Sequence, residues 1–119
     1  MSWSTLFFYT LNVLNSWAFS CSELIFSYEI TDESDWHQKV AAILEVPEYY
    51  GYNLDALYDI LVTTEYPYEF TICVLGKEDL ISKLGPERFS LWVATFDDAL
   101  KVNPRAPRLT FLPEHRLLR

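Results

Sequence analysis

The sequence predicts an α/β domain, a three-stranded and mostly parallel sheet covered by about four helices. Short β-rich runs lie at residues 24–30, 70–75 and 108–112, and two stretches of helical periodicity separate each from the next. Parallel strands need crossovers of that length, usually helical. The middle run is hydrophobic on both faces, as a strand buried in a parallel sheet must be. At 119 residues the chain is one domain, large enough to bury a core without staples.

The elements follow in order. Leu24 to Ile30 is the first strand candidate, and Asp32 or Ser34 can cap a helix whose Trp36, Val40, Ile43 and Leu44 face inward. Asn53 can cap a second helix, from Leu54 to about Val62, with Leu54, Leu57 and Leu61 as its apolar stripe. After the strand Phe70 to Leu75, a helix runs from Glu78 to Leu84 and stops at Gly85. Phe89, Trp92, Val93, Phe96 and Leu100 then repeat at helical spacing, which places a helix over 87–102. Arg108 to Leu112 is a last strand, ended by Pro113. Residues 1–20 are an extra apolar segment expected to pack on the domain formed by 21–119. They read either as a hairpin, Thr5 to Thr10 with Asn15 to Cys21, or as one apolar helix.

That first segment lacks the basic start of a signal peptide and is broken by Ser, Thr and Asn, so neither a signal nor a membrane span is expected. Cys21 and Cys73 are too few and too far apart for a disulfide framework and lack metal-ligand spacing. Cys73, within an apolar run, reads as a buried free thiol, which fits a reducing, cytoplasmic compartment. No metal or cofactor is expected.

Charge is distributed unevenly. Of a net −8, six acids and no base fall between Lys39 and Lys77, and no Lys or Arg precedes Lys39. A nucleic-acid binder needs a cationic stripe to displace counterions from phosphates, and the first 76 residues show the opposite. A cationic partner suits this surface, since opposite potentials steer encounter.

The segment 47–59, Pro-Glu-Tyr-Tyr-Gly-Tyr-Asn-Leu-Asp-Ala-Leu-Tyr-Asp, concentrates that chemistry. Asp55 and Asp59 are four apart and stack on one helix face, away from the Leu54/Leu57/Leu61 stripe. Like charges at this spacing cost an isolated helix roughly 0.2–0.5 kcal/mol. The helix dipole compensates Asp55 in the first turn and leaves Asp59 uncompensated. Tyr49, Tyr50, Tyr52 and Tyr58 crowd around them, and rigid aromatic area beside a carboxylate is what a surface aimed at Arg or Lys uses. At least one of Tyr49 and Tyr50 is expected to be structural.

The same run, with only Tyr52 free, resembles the barstar family of bacterial ribonuclease inhibitors. Asp35-Trp36-His37-Gln38 resembles that family's first helix, Tyr66-Pro67 the entry to its middle strand, and Phe96-Asp97-Asp98-Ala99 its last helix. The resemblance covers about Leu24 to Leu112 and implies inhibition by insertion. Asp59 would sit where the substrate phosphate goes, Asp55 would pair with a cation at the rim, and Tyr49 would lie against the catalytic histidine. Gly51 and Asn53 would shape the loop and make polar contacts. Tyr58 stands where the family usually has tryptophan, and Asp98 takes the place of a glutamate. The loop Val62 to Glu65 is shorter than the prototype's and lacks its glycine and tryptophan. The resemblance also makes Tyr66-Pro67 a candidate cis bond.

The expectation is therefore a non-enzymatic immunity protein or antitoxin that forms a 1:1 complex with a basic ribonuclease, with no nucleic-acid or membrane partner. The alternative is the same fold directed at a toxin that is not a ribonuclease. An enzyme built on Asp55/Asp59 or Asp97/Asp98 would need a cleft, which one convex helix face does not supply. His37 and His115 show no triad or metal spacing and read as surface or partly packed residues. A third possibility is a subunit docked through its apolar N-terminus.

Overall fold

A computed structural model describes residues 21–66 and 68–113. The expected N-terminal segment 1–20, the Tyr66–Pro67 bond and His115 lie outside the described residues. Three strands, β1 (Glu23–Phe26), β2 (Thr71–Leu75) and β3 (Arg108–Leu112), form one sheet in the order β1-β2-β3. Both pairings are parallel, with Leu24 opposite Cys73 and Cys73 opposite Thr110. Helices α1 (Glu33–Leu44) and α2 (Leu54–Thr63) make the first crossover, and α3 (Lys77–Leu84) and α4 (Pro86–Val102) make the second. Two helices per crossover give the expected order.

The helix boundaries follow from local chemistry. Asp32 caps α1, its carboxylate accepting from the Asp35 N–H at 2.8 Å, and Glu33 and Asp35 place negative charge in the first turn. Pro86 occupies the first turn of α4, where its missing N–H costs nothing. The first strand is shorter than expected. At Ser27 the chain turns into a 3-10 turn, Ser27–Glu29, instead of running on to Ile30. The cause is long-range. The Ser27 hydroxyl donates to Asp79 at 3.0 Å, and the Lys83 ammonium donates to the Ser27 carbonyl at 2.8 Å while pairing with Asp79 at 2.9 Å. Hydrogen bonds from Lys83 and Ser27 hold the Asp79 carboxyl below its ordinary range. The loop expected at Val62 to Glu65 also begins later, because Val62 and Thr63 continue α2.

Gly76 makes this close approach possible. Its φ is +100°, and a Cβ there would come within 2.1 Å of the Ser27 hydroxyl oxygen. Gly76→Ala is therefore expected to destabilise the domain by at least about 1–3 kcal/mol, read as a lowered urea midpoint.

One face of the sheet carries the main core. Ile25, Ile72 and Val74 join Trp36 and Val40 of α1, Leu57 and Leu61 of α2, Leu80 of α3, and Trp92 and Phe96 of α4. Asn103 closes the seam between α2 and α4 by donating to the carbonyls of Leu61 (3.3 Å) and Thr64 (2.8 Å). The alternate strand residues face the other way, where Cys21, Cys73 and Leu112 form a separate cluster with Leu24 and Leu75.

The cysteines correct the sequence reading. Cys21 and Cys73 are bonded to each other as a disulfide, so neither is a free thiol. They are 52 residues apart in sequence, but the Ser22 N–H donates to the Thr71 carbonyl at 2.8 Å, which lays the start of β1 beside β2 and brings the two Cα atoms to 5.7 Å. Among the described residues, no helix is long and apolar enough to cross a membrane.

Candidate partner-binding site

The candidate site is built on α2 and the loop before it. Asn53 caps α2, its side-chain oxygen accepting from the Ala56 N–H at 2.8 Å. The helix turns Leu57 and Leu61 wholly into the core and leaves Tyr58 half-buried against it. That phase puts Asp55 and Asp59 outside, and both are exposed. None of the ion pairs or side-chain hydrogen bonds among the described residues uses either carboxylate, whereas those of Glu33, Asp35, Glu69, Asp79 and Asp98 are all paired. Asp98 is exposed on α4, which packs against α2, and its partner is Lys101 of its own helix at 3.5 Å.

The preceding loop separates its tyrosines. A turn closed by the Tyr50 N–H on the Pro47 carbonyl (3.0 Å) sends the Tyr50 side chain inward and leaves Tyr49 86% exposed. Of the expected pair, Tyr50 is thus the structural one. Gly51 is exposed, and a Cβ there would come within 3.2 Å of the Asn53 amide nitrogen. Tyr52 takes a left-handed φ of 52°, and its ring lies 4.9 Å from that of Tyr50.

His37 anchors this loop, a role the sequence reading missed. It is buried, contrary to the surface or partly packed position expected, and its Nε2 shares a hydrogen bond with the Tyr50 hydroxyl. Its ring stands edge-on to Trp92 at 4.7 Å and lies 5.4 Å from Tyr52. Behind it, Glu33 accepts from the Arg88 guanidinium (2.7 and 3.1 Å) and from the Trp92 indole N–H (2.9 Å). Helices α1 and α4 are thereby tied together beneath the loop. A groove of about 890 Å³ runs beside it, with Glu33, His37, Glu45, Tyr52, Asn53 and Arg88 along its walls. Among the described residues, no group of His, Cys, Asp or Glu is placed to hold a metal ion.

Burial sets the protonation states here. Desolvation pushes the Tyr50 phenol up to about 12, with Tyr52 adding to it, so the hydroxyl stays protonated. Desolvation also lowers the His37 imidazole below its ordinary value, helped by Arg88 and opposed by Glu33. The Arg88 hydrogen bond, with that of Trp92, holds the Glu33 carboxyl below its usual range against the opposing effect of burial. A histidine whose folded pKa is depressed contributes stability above its ordinary pKa. That stability is lost as pH falls through the folded value. Urea unfolding of the wild type is thus expected to show stability falling as pH drops below about 6.5, the ordinary imidazole value. His37→Gln should flatten that part of the curve, and an unchanged slope would rule out His37 as the cause.

The sequence-predicted residues Tyr49, Gly51, Asn53, Asp55, Tyr58 and Asp59 all fall on this one loop-and-helix unit, and Asp98 falls on the neighbouring helix. The model of the family Barstar, described as the barnase inhibitor, matches residues 25–112. The match runs from the middle of β1 to the end of β3 and takes in the four helices and the loop, and the chain belongs to the barstar family, whose members are inhibitors and not enzymes.

Proposed function

We propose that this protein blocks the active site of a barnase-like ribonuclease with α2 and the loop 47–53, in a 1:1 complex. The observation that carries the reading is the pair of exposed carboxylates, Asp55 and Asp59, four residues apart on one face of α2 and without a side-chain partner among the described residues, with the exposed Tyr49 on the loop that leads into the same helix. An acid held exposed and unpaired on a rigid helix offers its full charge to an incoming cation. Asp59 faces the cationic groups that hold the RNA phosphate, Asp55 meets a second cation at the rim, and Tyr49 lies flat against the catalytic histidine. Tyr58 supplies apolar area beside Asp55. Asn53 and Gly51 contribute polar and backbone contacts, and Asp98 adds a contact from α4.

The compartment proposed is the cytoplasm, where an unblocked ribonuclease would reach the producing cell's RNA. Cys73 is fully enclosed and Cys21 nearly so, which limits attack by a reducing thiol on their bond. Titration of a barnase-like ribonuclease with the chain tests the reading. RNA cleavage should fall to zero at one equivalent, with an association rate that drops steeply with salt. Undiminished cleavage at excess chain would reject the ribonuclease as target and leave a toxin of other chemistry, such as a deaminase or a transferase.

A further inference from the structure

The second face of the sheet carries a buried apolar cluster, flanked by Thr71, Thr110 and Arg108, yet none of the described helices lies on it. Leu24, Cys73, Leu75 and Leu112 form its cluster with Cys21, while the buried apolar residues of all four helices belong to the core on the opposite face. Sheets with only parallel strands occur almost only with both faces covered. Here the central Cys73 is 0% exposed and Leu112, on the edge strand β3, is 4% exposed. Side chains standing on a three-stranded sheet cannot close over themselves, and the Cys21 sulfur can shield only the residue it is bonded to.

We propose that the occupant of this face is the chain's own segment 1–20, packed across β1, β2 and β3 as the third layer of the domain. The point of attachment favours it. Residue 20 is bonded to Cys21, which belongs to the cluster and is fixed by its disulfide to the central strand. Composition favours it as well. Residues 1–22 contain no Asp, Glu, Lys or Arg, and Phe7, Phe8, Leu11, Leu14, Trp17 and Phe19 give the segment apolar area with no charge to hold it in water. Length is ample, because crossing from the first strand to the third takes only about 10 Å at the usual strand spacing. A second copy of the chain would reach the face only by displacing a segment already tethered beside it. The acidic helix α2 packs on the other side of the sheet, so this cover leaves the inhibitory surface free.

The test uses the full chain and no nuclease. In methyl- and aromatic-labelled protein shown to be monomeric by sedimentation, nuclear Overhauser contacts are expected from the Leu24, Leu75 and Leu112 methyls to the rings of Phe7, Phe8, Trp17 and Phe19. Absence of those contacts would overturn the proposal. So would contacts seen only between differently labelled molecules, which would make a second copy the occupant. Deletion of residues 1–20 should raise binding of a hydrophobic dye several-fold and lower the urea midpoint. Unchanged dye binding and midpoint would also overturn the proposal, and if the shortened chain fails to fold, the contacts in the full chain decide.

Discussion

Asp59→Ala is expected to weaken the complex with a barnase-like ribonuclease by about 2–5 kcal/mol, roughly thirty- to several-thousand-fold in Kd, a range that rests in part on the barnase–barstar pair itself. Much of that loss comes from leaving the ribonuclease cations desolvated and unpaired, so it should appear mainly in the dissociation rate. The folded chain should barely notice the change. Asp59 is exposed and has no side-chain partner among the described residues, and removing it relieves repulsion from Asp55 worth about 0.2–0.5 kcal/mol. Stopped-flow association and dissociation, run beside a thermal melt, separate the two effects. Equal affinity of variant and wild type would remove Asp59 from the site and, with it, the case for insertion of α2.

The second large effect concerns stability. Cys21→Ala is expected to cost about 4 kcal/mol, the chain-entropy value for a crosslink closing a loop of this size. The crosslinked residues are 52 apart and enclose β1, α1, α2 and most of β2, so the open variant gains much of its freedom in the unfolded state. Against a total stability of about 5–15 kcal/mol, that is a large fraction. Urea unfolding with and without reductant checks it. The reduced wild type should approach the variant's midpoint, and identical midpoints for oxidised and reduced protein would show that the bond contributes nothing to folding.

What could be read from the sequence was what local chemistry determines. Asn53 followed by an apolar stripe specifies where α2 starts and which way it faces, and that phase alone exposes Asp55 and Asp59. Gly85-Pro86 marks the break between α3 and α4, and Pro113 follows β3, for equally local reasons. Features that depend on distant partners were not legible. The early end of β1 depends on Asp79 and Lys83, 52 and 56 residues beyond Ser27. The disulfide depends on parallel register between strands joined by a long crossover. Glu33 and Arg88 are 55 residues apart with no shared periodicity, and each alone looks like a surface charge. His37 follows the buried Trp36, and adjacency gives no sign that the helix turns both into the core. Tyr49 and Tyr50 show the same limit, because two identical neighbours cannot be told apart until the turn at Pro47 sends one inward.

The brace beneath the loop bears on where an entropic cost is met. Fixing the backbone of one residue costs about 1–2 kcal/mol, so a free loop the size of 47–53 would lose on the order of 10 kcal/mol if it were ordered only on meeting a partner. Tyr50, held by His37 and backed by Trp92, Glu33 and Arg88, orders that segment while the chain folds. Tyr49 and Gly51 are then presented in advance, and the conformational penalty falls on folding instead of on association.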